Sequence, residues 1–267
     1  MPVNFCPIAS GSSGNSVYVG MSDTHILFDA GLSGKRIQSG LRSVNVEPEK
    51  INAIFITHEH SDHIQGAGVL SRRFDIPLYA TEKTWEAMER EYIIGAIQPK
   101  NKITVFYDTD CAVGDMVVRP FEISHDAAEP AGYNVFVDDY KISVVTDLGE
   151  VTDNVKDNLY YSDVLLLESN HDLDMLKNGS YPWPLKKRIM SERGHLSNVS
   201  CGVLLSEIMS GKLKYVYLGH LSEENNRPHI AMDTVTNILE ASKIFPGEDL
   251  ELILAERSQV SFFLKMD

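Results

Sequence analysis

Short runs of apolar, often β-branched residues alternate along the chain with segments whose apolar positions recur at helical spacing. Strands are predicted at 4–8, 16–20, 25–29, 53–57, 103–106, 116–123, 133–137, 141–146, 164–168, 215–219 and 251–255. Helices are predicted over 33–44, 66–74, 82–91, 171–178, 184–191, 198–209 and 229–242. Strand-first segments with helices between them predict two sheets covered by helices, which is an α/β sandwich. The sequence shows no repeat, heptad pattern or low-complexity linker, so we expect a single domain over residues 1–267.

A cluster of histidine and aspartate follows the predicted strand at 53–57, in the stretch THEHSDH. In an extended loop the residues i and i+2 point the same way, so His58 and His60 can converge on one ion. Asp62 and His63, around the following turn, can face a second ion. Neutral imidazole suits zinc, iron or manganese, and a carboxylate shifts the preference toward harder ions. The alternative is that these are ordinary surface histidines, and their close spacing favours a metal site.

Charge and composition limit the function. The chain has 24 basic and 38 acidic residues, a net charge of -14, which disfavours broad non-specific binding to nucleic acid. A polyanionic substrate held by metal ions and a local basic patch stays compatible with this charge. The three cysteines are widely spaced, as in reduced cytosolic proteins, and the first residues do not resemble a signal peptide. No stretch is apolar enough to span a bilayer, so we expect a cytoplasmic protein without membrane contact.

The motif HxHxDH after a hydrophobic strand resembles the metallo-β-lactamase superfamily. The resemblance implies an α/β fold of the αββα type, in which two mixed β-sheets are flanked by helices. It also implies two divalent metal ions, with a supporting role for Asp29 and a bridging role for Asp147. The metal ligands implied are His58, His60, Asp62, His63, His125, Asp147 and His220. His171 is an alternative to His125 whose spacing fits the superfamily less well; otherwise we expect it at a loop rim or a helix cap.

A further histidine, His195 in RGHLSN, resembles an element of the tRNA 3′-processing and phosphodiesterase branches. There the histidine approaches the scissile phosphate, and a glutamate one strand earlier, here Glu168, orients it. The resemblance therefore implies catalytic roles for His195, Glu168, Asp62 and Asp147. The expected nucleophile is a hydroxide that bridges both ions, with His195 donating a proton to the leaving oxygen or stabilising it. The alternative for His195 is an exposed residue at the start of a helix.

Seven segments in order resemble more narrowly the YycJ (WalJ) family: ASGSSGNS, THEHSDHIQG, ISHDAAEPAGY, TDLGEV, LLESNHD, RGHLSN and GHLSEENN. This resemblance implies a compact metal-dependent DNA exonuclease that acts 5′-to-3′ on single- or double-stranded ends. Manganese is the expected activating ion, although zinc and iron share these ligands. A glyoxalase II-like thioesterase, or another small-molecule hydrolase of this fold, remains the alternative because the glyoxalase II branch shares all seven ligands. Oligomeric state is left open.

Two further segments are candidates for contact with a polyanion. The stretch LKKRIMSERGH concentrates basic residues just before His195, where they can bind phosphate or form a solvated helix face. The SGSSGN loop can present backbone N–H groups to an anion or form a tight turn. The candidate substrate residues are Ser13, Asn15, Lys186, Lys187, Arg188, Arg193, Ser197 and Asn198.

Overall fold

Two sheets of seven strands each form the centre of the molecule in the computed structural model, which describes residues 1–90 and 94–267. The strands are β1 (Val3–Ala9), β2 (Ser16–Met21), β3 (Thr24–Phe28), β4 (Ala53–Phe55), β5 (Leu78–Ala80), β6 (Lys102–Thr104), β7 (Cys111–Val113), β8 (Met116–Glu122), β9 (Ala131–Val137), β10 (Tyr140–Val145), β11 (Val164–Glu168), β12 (Tyr215–Gly219), β13 (Glu251–Leu254) and β14 (Leu264–Met266). The first sheet has the order β14-β1-β2-β3-β4-β5-β6, and the second has the order β13-β12-β11-β10-β9-β8-β7.

Helices cover the outer faces of both sheets. They are α1 (Gly34–Ser43), α2 (Ser61–Ile64), α3 (Ala67–Phe74), α4 (Glu82–Arg90), α5 (Asp153–Leu159), α6 (Leu173–Asn178), α7 (Trp183–Ile189), α8 (Asn198–Ile208) and α9 (Pro228–Ala241). One apolar cluster joins α1, α3 and α4 to the first sheet, and another joins α5, α8 and α9 to the second. The predicted αββα sandwich is therefore confirmed. Among the described residues, no helix combines the length and apolarity needed to cross a membrane.

The side chains of each central strand alternate between the two apolar layers that flank it. In β3, Ile26 and Phe28 face the layer between the sheets, whereas Leu27 faces the outer helices. In β11, Leu166 faces inward and Leu165 and Leu167 face the helices. Strands buried on both faces read as continuous apolar runs, which is why the sequence marks them clearly.

Tyr133 on β9 ties the two sheets together. Its ring lies 5.3 Å from that of Phe28 and 5.5 Å from that of Phe55, both on the first sheet. Its hydroxyl donates a hydrogen bond to the carbonyl of Ile56, 2.6 Å away. Ile56 lies just before the THEHSDH stretch, so this contact fixes the second sheet against the point where the metal-binding loop begins.

The parallel parts of both sheets bring their carboxyl ends to one edge of the sandwich. Strands β3 to β6 run parallel in the first sheet, and β10 to β13 run parallel in the second. In α/β folds the carboxyl ends of parallel strands are where ligand sites form. Asp29, His58, Asp147 and His220 all follow such ends, so the topology alone brings them to one edge.

The sequence pattern did not predict β5, β7, β14 or α5. Each of the three strands has only three residues, which is too short to show an alternating pattern. Strand β14 forms by pairing with β1, a long-range contact with no local signal. Helix α5 did carry a signal, because Thr152 caps it by accepting a hydrogen bond from the N–H of Val155. The predicted helix 82–91 corresponds to α4, and residue 91 lies outside the described residues.

We expect Tyr133→Phe to lower the free energy of unfolding by about 1–3 kcal/mol, because the buried carbonyl of Ile56 would lose the hydroxyl that bonds to it. Urea denaturation followed by circular dichroism measures this. Tyr140→Phe is the matched control, since that hydroxyl bonds to the carbonyl of Asp267 at an exposed position. Equal losses in the two variants would contradict a special role for the contact between the sheets.

Candidate metal centre

Seven histidine and aspartate side chains meet at the edge where the parallel strands end. His58, His60 and His125 form one group whose ligand atoms lie within 4.8 Å of one another. The remaining side chains form overlapping groups with the same limit, namely Asp62 with His63 and His220, and Asp147 with His58 and His63. The structure thus gathers every residue that the sequence proposed as a metal ligand.

Asp29 holds the THEHSDH loop in place from the end of β3. One of its carboxylate oxygens accepts a hydrogen bond from the backbone N–H of Thr57 at 2.8 Å. The other accepts from the Thr57 hydroxyl at 2.9 Å and from Nδ1 of His63 at 2.7 Å. With Nδ1 engaged in this way, Nε2 of His63 is directed toward Asp62 and Asp147. Asp29 therefore has the supporting place that the resemblance implied.

Other ligand candidates are oriented by a contact at the ring nitrogen that faces away from the site. Nδ1 of His125 donates to the carbonyl of Gly194 at 3.1 Å, and Nδ1 of His220 donates to Glu168 at 2.7 Å. Such contacts fix the ring and the tautomer of metal-binding histidines. They also direct the Nε2 atom of each ring into the cluster.

Several buried atoms at the centre have no hydrogen-bond partner within the described part of the chain: Nε2 of His125, Nε2 of His220 and Oδ2 of Asp147. Buried polar atoms are normally satisfied, so unpaired imidazole nitrogens facing a carboxylate need an explanation. Nitrogen and carboxylate oxygen are the ligands that zinc, manganese and iron share. This donor set therefore fits divalent metal ions.

Asp147 lies between the two groups of histidines. Its Oδ2 is 3.2 Å from Nε2 of His63, and its Oδ1 is 3.7 Å from Nε2 of His125. Burial raises the pKa of this carboxyl, but His220, His63 and His58 lower the pKa by more than burial raises it. The net pKa lies well below its ordinary value. Asp147 is therefore an anion that lies between two sets of histidines, a position that suits the bridging role that the resemblance implies.

Three of these residues have left-handed backbone conformations at the ends of their strands. The φ angles are 59° for Asp29, 57° for Asp147 and 54° for His220. Aspartate and histidine tolerate this region better than most residues, but it still carries a cost that the surrounding structure must offset. The sharp turn lets each strand end at the edge and send its side chain into the cluster.

The SGSSGN loop contacts the metal-binding loop directly. The backbone N–H of Asn15 donates to the carbonyl of Asp62 at 2.8 Å, and its side-chain amide lies 3.1 Å from Nε2 of His63. Gly31 makes this approach possible, because a Cβ there would lie 1.6 Å from the carbonyl oxygen of Asp62. Asn15 is thus buried in the wall of the centre, whereas Ser13 is exposed on the same loop.

Glu168 orients His195, as the resemblance to the tRNA 3′-processing and phosphodiesterase branches implied. Its Oε1 accepts from Nδ1 of His195 at 2.9 Å, and its Oε2 accepts from the backbone N–H groups of Leu148 and Leu196. Burial raises the pKa of Glu168, but His195 and His220 lower it, to a net value of about 2. Burial lowers the pKa of His195, whereas Glu168 raises it, and the net shift is upward. His195 therefore favours its protonated form, with 23% of its side chain exposed.

A cavity of about 230 Å³ opens over the centre. Asp62, Asp147, His195 and His220 line its floor, and Arg188 lies on its wall. A second cavity of about 550 Å³ adjoins it at His125 and contains Arg193. Substrate can therefore reach the centre through two adjoining cavities, each of which contains one arginine.

Three of the candidate substrate residues are corrected by their contacts. Lys186 is buried, and its ammonium donates to the carbonyls of Lys177 and Gly179, so it is not free to bind phosphate. Ser197 caps α8, and Asn198 is buried in hydrogen bonds with Ser169 and Asn226. For Lys186, helical spacing alone did not reveal which face of α7 was buried.

The other candidates remain near the site or at the surface. Arg188 lines the smaller cavity while pairing with Asp126, and Lys187 is exposed. Arg193 donates to the carbonyl of His125 at 3.2 Å. Asp126 was missed by sequence reasoning, although its position next to His125 was a signal, and its Oδ1 lies 3.4 Å from that ring's Nε2.

His171 is neither at a loop rim nor a helix cap. It is buried, and Asp172 caps α6 by accepting from the N–H of Met175. Burial lowers the pKa of His171 to about 4. Within the described residues it joins none of the candidate metal-binding groups.

Comparison with known proteins agrees with this geometry. Residues 24–216 match the family model described as the beta-lactamase superfamily domain. The crystal structure of the metallo-β-lactamase fold protein YhfI from Bacillus subtilis aligns with a TM-score of 0.74 at 18% identity, covering 99% of both chains. The fold and the cluster of histidine and aspartate thus define a metal-dependent hydrolase of the metallo-β-lactamase type.

Two curated relatives narrow this class. Exodeoxyribonuclease YycJ of Bacillus anthracis is 40% identical over 252 residues, which is 94% of this chain and 95% of that protein. Exodeoxyribonuclease WalJ of Streptococcus pneumoniae strain D39 is 43% identical over 245 residues, covering 92% of this chain and 91% of that protein. The chain therefore belongs to the YycJ/WalJ family of the β-lactamase superfamily.

We expect Glu168→Gln to weaken the binding of one metal ion about 10- to 100-fold, because a Gln amide would direct N–H groups at donors that now bind a carboxylate. Competition with a chromogenic chelator measures both affinities. Glu59→Gln is the matched control, since Glu59 lies in the same motif as the ligands but accepts from the N–H of Ala128. Unchanged metal affinity in Glu168→Gln would contradict the support that Glu168 gives to His220.

Proposed function

We propose that the protein is a phosphodiester hydrolase with two metal ions that removes nucleotides from DNA ends in the 5′-to-3′ direction. The observation that carries this proposal is His195, which lines the metal cavity and is held by Glu168 through its Nδ1. A proton donor beside a metal centre suits cleavage of an ester whose leaving oxygen needs a proton. The YycJ and WalJ relatives are named exodeoxyribonucleases, which supports DNA as the substrate, and the family resemblance supports the polarity.

The residues divide into two metal sites. His58, His60 and His125 would hold one ion, and Asp62, His63 and His220 would hold the other, with Asp147 between them. Bound divalent ions supply Lewis acidity, which lowers the pKa of water and offsets negative charge on a phosphoryl group. Manganese is the proposed activating ion, since the carboxylates of Asp62 and Asp147 favour harder ions than an all-histidine set.

The side chains around the cavity position the substrate and move its protons. His195 carries a proton toward the leaving oxygen, while the charge of Glu168 keeps the ring protonated and in one orientation. Oδ2 of Asp62 faces Nε2 of His63 at 3.5 Å and can accept a hydrogen from the attacking group. Arg188 on the cavity wall and Arg193 next to it contribute positive charge for the phosphates.

The free thiols of Cys6, Cys111 and Cys201 support a cytoplasmic location, where cysteines stay reduced.

Attack at the end of a DNA strand is also consistent with the shape of the site. Between His125 and Asp147 the chain forms only the β9–β10 hairpin, so no projecting arm is present there to grip the interior of a duplex.

We expect His195→Ala to lower turnover on DNA about 10²- to 10⁴-fold while metal content stays at the wild-type level, which we propose is about two ions per chain. Steady-state kinetics and elemental analysis on the same preparation measure both quantities. His229→Ala is the matched control, because His229 is exposed on α9. If His195→Ala loses metal, His195 is a ligand and its assignment as a proton donor is wrong.

We expect the metal-loaded protein to release nucleotides from 5′-labelled single- or double-stranded DNA. The KM for DNA should rise with salt because cations of the protein contact the phosphates, and the rise should be shallow because these contacts are few. With two to three contacts, the slope of log affinity against log salt should be about -2. Lys187→Glu should reduce this slope by about one, whereas Lys214→Glu, at the opposite edge of the second sheet, should leave it unchanged.

A glutathione thioester and a cyclic phosphodiester serve as competing substrates in the same assay. Rapid cleavage of the thioester with no release of nucleotides would overturn the nuclease proposal in favour of a glyoxalase II-like activity.

A further inference from the structure

One wall of the metal cavity is formed by α7 and the residues just before it. Tyr181, Leu185, Arg188 and Ile189 line the cavity together with His195. A strand whose phosphate reaches the centre would pass close to this wall, where its neighbouring nucleotides could contact the exposed side chains of α7.

Trp183, two residues before Leu185, is the first residue of α7, and its ring lies in solvent rather than among the side chains that line the cavity. It is 54% exposed, whereas Trp85, the other tryptophan of the chain, is 2% exposed and its indole N–H donates to the carbonyl of Ile103. Nζ of Lys187 lies 5.9 Å from the centre of the Trp183 ring, one helical turn along. An exposed indole beside a cation, on the helix whose Leu185 and Arg188 line the cavity, is a surface suited to a flat, anionic ligand.

The wall is rigidly held. Pro182 precedes the helix and Pro184 lies in its first turn, where the fixed φ of proline suits the start of a helix. The buried ammonium of Lys186 donates to the carbonyls of Lys177 and Gly179, which ties the preceding segment to α7. At the other end, the carbonyl of Ile189 accepts from the N–H of His195 at 2.9 Å. The backbone that carries Tyr181 and Trp183 is therefore held in place relative to the proposed proton donor.

We propose that Tyr181 and Trp183 form a stacking platform for the unpaired nucleobases of the DNA strand whose phosphate lies in the metal cavity. This inference rests on the proposed function and specifies its substrate as a single-stranded or frayed end. Stacking on aromatic rings tolerates every base, because each base has a π face, so the platform selects unpaired bases without selecting sequence. Lys187 and Arg188 add local positive charge in a chain of net charge -14, where the backbone of the same nucleotides would pass.

The first experiment compares KM for two single-stranded 5′-labelled oligonucleotides of equal length, one with normal bases and one with abasic residues at the first three positions. For the wild-type enzyme, the abasic substrate should have a KM about 5- to 100-fold higher, the range expected for loss of stacking. In Trp183→Ala the ratio of the two KM values should fall to near one, and Trp183→Phe should restore most of it. A Trp183→Ala variant that keeps the wild-type ratio overturns the platform, and so does one that raises both KM values equally.

The second experiment measures binding without cleavage. Because Trp85 is buried, quenching of tryptophan fluorescence in the metal-loaded protein reports on Trp183. A phosphorothioate oligo(dT) should quench it saturably, and an abasic phosphorothioate of the same length should not. Trp183→Phe should abolish the quenching while keeping the signal of Trp85. Equal quenching by both oligomers, or quenching that follows protein concentration without DNA, would overturn the platform, the latter by assigning Trp183 to self-association.

The two experiments separate failure of the platform from failure of the proposed function. Base-dependent quenching in a protein that releases no nucleotides would refute the nuclease activity and leave the platform standing. Release of nucleotides with a wild-type KM ratio in Trp183→Ala would refute the platform and leave the nuclease activity standing.

Discussion

The hydrogen bonds to the buried carboxylate of Glu168 are the interactions that hold together the part of the site formed by the second sheet. The carboxylate accepts four hydrogen bonds: from the backbone N–H groups of Leu148 and Leu196, and from Nδ1 of His195 and His220. These donors come from the ends of β10 and β12 and from the loop that carries His195. A single anion therefore sets the relative positions of a proposed ligand and a proposed proton donor. Its own burial is offset by the charge-assisted bonds that it receives.

Asp29 plays the corresponding part in the first sheet. It too is buried at the end of a strand, and it holds Thr57 and His63 of the metal-binding loop. Each sheet thus supplies one buried carboxylate that orients a proposed metal ligand, and the one in the second sheet also holds the proposed proton donor. Tyr133 then fixes the two sheets against each other close to the metal-binding loop, so that the residues from the two sheets keep their relative positions at the site. In metal sites generally, supporting contacts of this kind orient the ligands and are needed as well as the ligands themselves.

The sequence was informative where the signal was local. The spacing of His58, His60, Asp62 and His63 reflects the geometry of one short loop, and the long apolar strands showed which residues would lie at the edge. It failed where the result depends on distant contacts. Lys186 resembles a solvent-facing cation until the carbonyls of Lys177 and Gly179 are seen next to it. The side chain of Asn15 next to His63, and Tyr181 on the cavity wall, likewise depend on how separate segments pack.

Strand β14 has a consequence for the order in which the molecule assembles. Its three residues pair with Val3, Asn4 and Phe5 of β1, so strands from opposite ends of the described chain lie side by side. Contacts of such long sequence separation form late in folding, because a large loop must close before they can be made. Until then, β1 presents an open edge with unpaired N–H and C=O groups, which is the kind of surface through which partly folded chains associate. Once it has paired, the short segment from Leu264 to Met266 covers this edge of β1, a task separate from anything that occurs at the metal centre.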